Sequence, residues 1–135
     1  MTDYIQLLKE NDLKATIQRT SILKSIDHAG HINVDDIYED VKKQYPTLSL
    51  ATIYKNIILM QKNNVIVEVP MNGEKSKYEL KKDEHMHLIC QNCGFIQDTQ
   101  ITDQTKETLV IEKFKLNASQ INLFGICESC QQQEV

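Results

Sequence analysis

All four cysteines of this 135-residue chain fall in two pairs of identical spacing, Cys90-Gln-Asn-Cys93 and Cys127-Glu-Ser-Cys130. Four thiolates are what a tetrahedral zinc ion accepts, and each CxxC turn delivers two of them. A single CxxC would leave a redox-active dithiol or buried free thiols open. Two pairs with no cysteine left over favour a structural zinc. The 33 residues between Cys93 and Cys127 exceed the roughly 15–20 of a simple zinc ribbon. Such a site clamps a strand–turn to the last strand across an intervening helix, so its predicted role is stability.

His85 and His87 stand just upstream. Side chains alternate along a strand, so His85, His87 and Ile89 share one face while Met86, Leu88 and Cys90 share the other. The histidines therefore point together, away from the thiolates. Two ordinary exposed or core histidines are the plainer alternative. The shared face, with Glu79, Asp98 and His31 as further candidates, favours a second ligand set. Imidazoles combined with carboxylates suit Fe(II) or Mn(II) better than thiolate-loving zinc. The two sites imply two tasks, a metal that holds structure and a metal that works.

The elements that must position these residues can be read from periodicity. Tyr4, Ile5, Leu7 and Leu8 form an apolar helix face ending near Asn11-Asp12. Thr16 caps a helix carrying Ile17, Ile22, Leu23 and Ile26 that stops at His28-Ala-Gly30. Asn33 caps a third helix with Val34, Ile37, Tyr38 and Val41 inward, closed by Tyr45-Pro46. Ser49 caps a fourth, Leu50 to about Lys62, with Ile53, Ile57, Ile58, Leu59 and Met60 as apolar positions, ended by Asn63-Asn64. The period then changes to that of a hairpin over residues 65–70 and 77–80. Helix, helix, turn, helix and hairpin is the order of a winged helix-turn-helix, whose last helix enters the DNA major groove. Lys81–Glu84 is a polar hinge. Beyond it, residues 85–91, 94–101 and 120–126 are predicted strands, with a helix near Thr105–Phe114. The predicted fold class is α+β, with a winged-helix domain over residues 1–80 and a small α/β domain over residues 85–135.

The net charge of −4 argues, taken whole, against nucleic acid, but its distribution does not. Residues 1–82 carry a net +1 and residues 83–135 a net −5. Residues 13–26 and 41–67 contain no acid and carry Lys14, Arg19, Lys24, Lys42, Lys43, Lys55 and Lys62. One such gap is unremarkable; two that coincide with the clearest helix starts point to phosphate, because DNA contacts cluster at helix N-termini. Chemistry nominates Ser49, Thr52, Lys55 and Asn56 on the first turns of the fourth helix. No apolar run approaches the roughly 20 residues of a membrane span, and the start lacks a signal-peptide pattern. A cytoplasmic protein is expected, where thiols stay reduced.

Leu13-Lys-Ala-Thr-Ile-Gln-Arg19, Ser49-Leu-Ala-Thr-Ile-Tyr-Lys-Asn56, His85-Met-His-Leu-Ile-Cys-Gln-Asn-Cys-Gly94 and Gly125-Ile-Cys-Glu-Ser-Cys130 resemble the signature blocks of the ferric uptake regulator (Fur) family. The likeness covers nearly the whole chain, and the HxHLxCxxCG block is highly specific. It implies a homodimeric winged-helix repressor on palindromic operator DNA, with the C-terminal α/β domain as the dimerisation domain. Ile17 departs from it, standing where members usually carry proline. By position, the resemblance implies His31, Glu79, His85, His87 and Asp98 as the regulatory Fe(II) or Mn(II) ligands, with one ion fixing the angle between the domains. It places Tyr54 near a base and Arg19 and Lys14 near phosphates, although Tyr54 could equally be a core aromatic.

Two branches remain. Asp98 and the Tyr-Lys-Asn of the fourth helix resemble the peroxide regulator (PerR) branch, in which iron-catalysed oxidation of a histidine ligand ends repression. A further metal site of many iron and zinc regulators is missing, its positions holding Glu84, Met86 and Ser119. Glu79 instead resembles the iron regulators, in which Fe(II) dissociates reversibly. An enzyme is the competing class. The chain lacks the His/Cys-x-Glu element of a zinc deaminase, a nucleophile elbow and a phosphate loop. A CxxC oxidoreductase would leave the acid-free helices unexplained. No small organic substrate is expected.

Overall fold

The computed structural model describes residues 2–108, 113–114 and 120–133. They belong to two compact units, residues 1–81 and 82–135, and each unit holds a three-stranded sheet.

The first unit contains helices α1 (Tyr4–Glu10), α2 (Ile17–Ala29), α3 (Val34–Lys42) and α4 (Leu50–Lys62), and strands β1 (Ile32–Asn33), β2 (Ile66–Val69) and β3 (Lys77–Leu80). Each helix begins at a side-chain cap. Asp3, Thr16, Asn33 and Ser49 accept the backbone N–H of Gln6, Arg19, Asp36 and Thr52, each cap contributing about 1 kcal/mol. The ends of α1 and α4 repeat one device. Asp12 and Asn64 take left-handed conformations, φ 62° and 61°, and the next residue turns back. Leu13 N–H reaches Leu8 O at 3.0 Å and Val65 N–H reaches Met60 O at 2.9 Å. This satisfies a terminal carbonyl and buries an apolar pair in each case. Asn63 Nδ2 donates to Asn11 O at 2.8 Å, tying the two helix ends together.

Between the helices lies a core that includes Leu8, Ile22, Leu23, Ile26, Ile37, Ile53, Ile57 and Met60, all fully enclosed. Three residues expected on apolar faces lie outside it: Ile5, Ile17 and Ile58 are 52%, 65% and 54% exposed. Ile17 is the first residue of α2, before the helix meets its neighbours. Ile58 follows Tyr54 and Lys55 along the outer face of α4, about a quarter-turn from Ile57. The sheet order is β1-β3-β2, fully antiparallel. The two-residue β1 was not anticipated. It pairs Ile32 with Tyr78, so the residue before it, His31, falls level with Glu79.

The second unit holds β4 (His85–Cys90), β5 (Ile96–Gln100), α5 (Asp103–Thr108), β6 (Ile121–Gly125) and α6 (Glu128–Gln133). Strand β4 is central, antiparallel to β5 and parallel to β6. The turn after β4 closes through Gly94, at φ 79°, with Gly94 N–H on Cys90 O at 3.0 Å; glycine takes that conformation without penalty. The helix expected near Thr105–Phe114 begins at Asp103, and residues 109–112 lie outside the described residues, as does Ser119. Helix α6, starting inside the second CxxC, was not anticipated. Among the described residues, no helix is long and apolar enough to cross a membrane.

Candidate metal centres and nucleic-acid interface

The four cysteines converge. Cys90 ends β4, Cys93 closes the following turn, Cys127 follows β6 and Cys130 lies on α6. Because β4 and β6 run parallel with Cys90 level with Gly125, both CxxC segments leave the same end of the sheet. The four sulfurs lie within 4.8 Å of one another, and none is in a disulfide. Cys93 Sγ and Cys127 Sγ are 3.7 Å apart, against about 3.8 Å for two corners of a zinc tetrahedron with Zn–S of about 2.3 Å.

The electrostatics fit the same group. The N–H groups of Cys127 and Cys93, 3.3 and 3.5 Å from Cys90 Sγ, draw the Cys90 thiol down to about 6. At Cys130 the amide of Asn92 favours the thiolate. The sulfurs of Cys127, Cys93 and Cys90, together with burial, outweigh it and push Cys130 up to about 12. Four thiolates this close repel one another unless a cation sits among them.

The histidine centre is a row across the second sheet. The register sets His87 opposite Asp98 on one side and Asn122 on the other, and His85 lies two residues along the same face. His85 Nε2 and His87 Nε2 are 2.9 Å apart. Asp98 Oδ1 is 3.5 Å from His87 Nε2 and 3.9 Å from His85 Nε2. Each ring is anchored by its other nitrogen: His85 Nδ1 lies 2.8 Å from Asp83 O, and His87 Nδ1 lies 2.9 Å from Asn122 Oδ1. Both oxygens accept, so both Nδ1 atoms donate, and the two Nε2 lone pairs face one another beside a carboxylate. That arrangement calls for a cation, and donation of the far nitrogen to an oxygen is how metal-ligating histidines are held. Asp98 Oδ2 takes Lys82 Nζ at 2.6 Å, which leaves Oδ1 turned to the histidines.

In the first unit, His31 Nε2 lies 2.9 Å from Glu79 Oε2. Glu79 is 1% exposed, and a carboxylate so enclosed requires a positive partner or a metal. Sequence reasoning missed Asn122 and Lys82. Their signal is spatial, lying in the parallel register of β6 and in one residue of the hinge.

On α4, the outward row is Ala51, Tyr54, Lys55, Ile58 and Lys62. Tyr54 is 37% exposed, so it is not a core aromatic. Ser49 is exposed at the helix start, its hydroxyl capping Thr52 N–H and lying 3.0 Å from Thr52 Oγ1. Asn56, expected at the DNA surface, is turned inward at 9% exposure. Its Nδ2 donates to Thr52 O at 3.0 Å and its Oδ1 accepts Arg19 Nε at 3.1 Å. Arg19 also donates Nη1–H to the carbonyl of exposed Lys14 at 2.8 Å. Asn56 thus spends its polar atoms inside the unit, on Thr52 and Arg19, as a buried amide must.

The model of the ferric uptake regulator family matches residues 10–124. The chain belongs to the ferric uptake regulator family. It is similar to the peroxide operon regulator of Bacillus subtilis, 27% identical over 99% of this chain and 95% of that one. It is also similar to the ferric uptake regulation protein of Campylobacter jejuni, 30% identical over 96% and 87%. Among solved structures, the Campylobacter jejuni peroxide stress regulator superposes with a TM-score of 0.73 at 33% identity, covering 96% of this chain and 100% of that one. This Fur-family chain is therefore a metal-responsive transcriptional regulator and not an enzyme. Regulators of the family are DNA-binding dimers, and the four clustered cysteines offer the donor set of a zinc ion.

Proposed function

We propose that this chain is a homodimeric, metal-dependent repressor on palindromic operator DNA, with Fe(II) or Mn(II) as the regulatory ion and zinc as the structural one. The observation that carries it is the pair of imidazoles on β4, both anchored at Nδ1 with Nε2 presented beside Asp98. Zinc takes Cys90, Cys93, Cys127 and Cys130. The regulatory ion takes His85, His87 and Asp98 from residues 82–135 and His31 and Glu79 from residues 1–81. With ligands drawn from both units, bound metal selects the arrangement in which the α4 helices of a dimer meet two half-sites. Tyr54 and Lys55 on α4, with Ser49 and Thr52 at its start, face DNA, and Lys14 and Arg19 face phosphate. We assign the protein to the cytoplasm, a compartment that keeps thiols reduced.

Within the family we assign the peroxide-sensing branch. Its support is Asp98, the resemblance of the Tyr54-Lys55-Asn56 segment, and the peroxide regulators among the similar proteins. In that reaction, hydrogen peroxide gives one oxygen atom to a ring carbon of a histidine ligand, the ring C–H becomes C–OH, and water leaves. Bound iron would supply the O–O cleavage. The chain's own residues hold the imidazoles against the ion. The second reading, reversible Fe(II) sensing, rests on Glu79 and on the likeness to the Campylobacter ferric uptake regulation protein.

Mass spectrometry of the Fe(II)-loaded protein after mild peroxide separates the two. One added oxygen on His31 or His85, absent from the Mn(II)-loaded protein, is expected; unmodified histidines with DNA binding retained would establish the iron reading instead.

A further inference from the structure

The two imidazoles of β4 are held by different means. His85 is anchored by the backbone carbonyl of Asp83, which any residue at that position would supply. His87 is anchored by a side chain, Asn122 Oδ1 at 2.9 Å, brought level with it by the parallel pairing of β4 and β6. We propose that Asn122 is a positioning residue for the regulatory metal: its amide oxygen holds His87 in the Nδ1–H form and so keeps Nε2 open to ligate. This rests on the proposed metal at His85, His87 and Asp98.

A neutral imidazole has one N–H and can carry it on either nitrogen, and the partner of one nitrogen decides which. In water the Nε2–H form is the more populated one. With that form, the nitrogen aimed at His85 and Asp98 would carry a proton and could not bind a metal. His87 is 1% exposed, so solvent does not set its tautomer; the protein must. Asp98, across the sheet on the other side, meets Nε2 rather than Nδ1. Asn122 meets Nδ1 through its amide oxygen and so decides the outcome. Loss of such an outer partner costs about 10–100-fold in metal affinity. A carboxylate in its place can only accept, whereas an amide can rotate to present its NH2, so Asp at this position should hold the same tautomer at least as firmly.

The test compares wild type, Asn122→Leu and Asn122→Asp in the full-length, zinc-containing protein by two readouts. The first is the long-range 1H–15N NMR pattern of His87 without regulatory metal, at a pH where imidazole is neutral. The second is affinity for Mn(II) alone. Wild type and Asn122→Asp should show Nδ1–H at His87. Asn122→Leu should shift toward Nε2–H and bind Mn(II) about 10–100-fold more weakly, while Asn122→Asp matches or exceeds wild type. An unchanged tautomer in Asn122→Leu would overturn the proposal. So would a loss of affinity that Asn122→Asp fails to rescue, because that marks a packing effect. Failure of wild type to bind Mn(II) would count against the metal reading itself, while the NMR pattern still reports on Asn122.

Discussion

Arg19 Nε donates to Asn56 Oδ1 over 3.1 Å, so a buried amide on α4 aims a cation that starts on α2. The contact joins the two acid-free stretches of the sequence at one point and would give the proposed phosphate-facing surface a fixed element rather than a flexible one. A preorganised guanidinium loses less entropy on meeting phosphate than a free one.

Arg19→Ala should therefore weaken DNA binding and reduce the slope of log affinity against log salt by about 0.9 per protomer, about 1.8 for the dimer. Asn56→Ala should weaken binding through the same residue, so the double variant should bind little worse than Arg19→Ala alone. Fluorescence anisotropy over a salt series measures both. Fully additive losses would show that Asn56 does not act through Arg19.

The zinc prediction follows from how little apolar material the second unit encloses. Among its described residues, the buried hydrophobic side chains are Ile89, Cys90 and Cys130, and two of the three are expected ligands. A unit this small needs a staple. Purified protein should carry equimolar zinc. Cys127→Ser, or strong chelation, should abolish the binding and expose residues 82–135 to limited proteolysis, while residues 1–81, with their own core, resist. Equal resistance of both units without zinc would remove the structural role.

A paired substitution on α4 tests the packing. Ile57 is fully enclosed and Ile58 is 54% exposed. Ile57→Ala should cost about 2–5 kcal/mol of stability, and Ile58→Ala less than about 0.5 kcal/mol. Urea denaturation of the zinc-loaded protein measures the difference, and equal costs would contradict this packing of α4.

Much of this was legible in the sequence, for physical reasons that differ by element. Thr16, Asn33 and Ser49 announced three helix starts because capping is local: a side chain reaches N–H groups three residues away and needs nothing else. The shared face of His85 and His87 followed from strand alternation alone. What failed needed a neighbour. Ile17 and Ile58 looked like core residues because periodicity records apolar spacing, while burial depends on which face another helix covers. Asn56 looked like a DNA contact because it lies near a helix start, yet the chain turns it toward Arg19. Asn122 and Lys82 were invisible, since one depends on a parallel register and the other on where a hinge residue lands.

On the proposed function, metal bound through His85 and His87 governs DNA binding. The most direct measurement is anisotropy of duplex DNA, selected from random sequence by the Mn(II)-loaded protein, as Mn(II) is titrated into metal-free but zinc-containing protein and into its His87→Ala variant. The wild type should bind tightly only as Mn(II) is added. The variant should stay weak throughout, losing more than the roughly 10–100-fold of an outer-partner change, while keeping its zinc. Tight binding by the wild type without Mn(II), or an undiminished Mn(II) response in His87→Ala, would show that this metal does not control DNA binding.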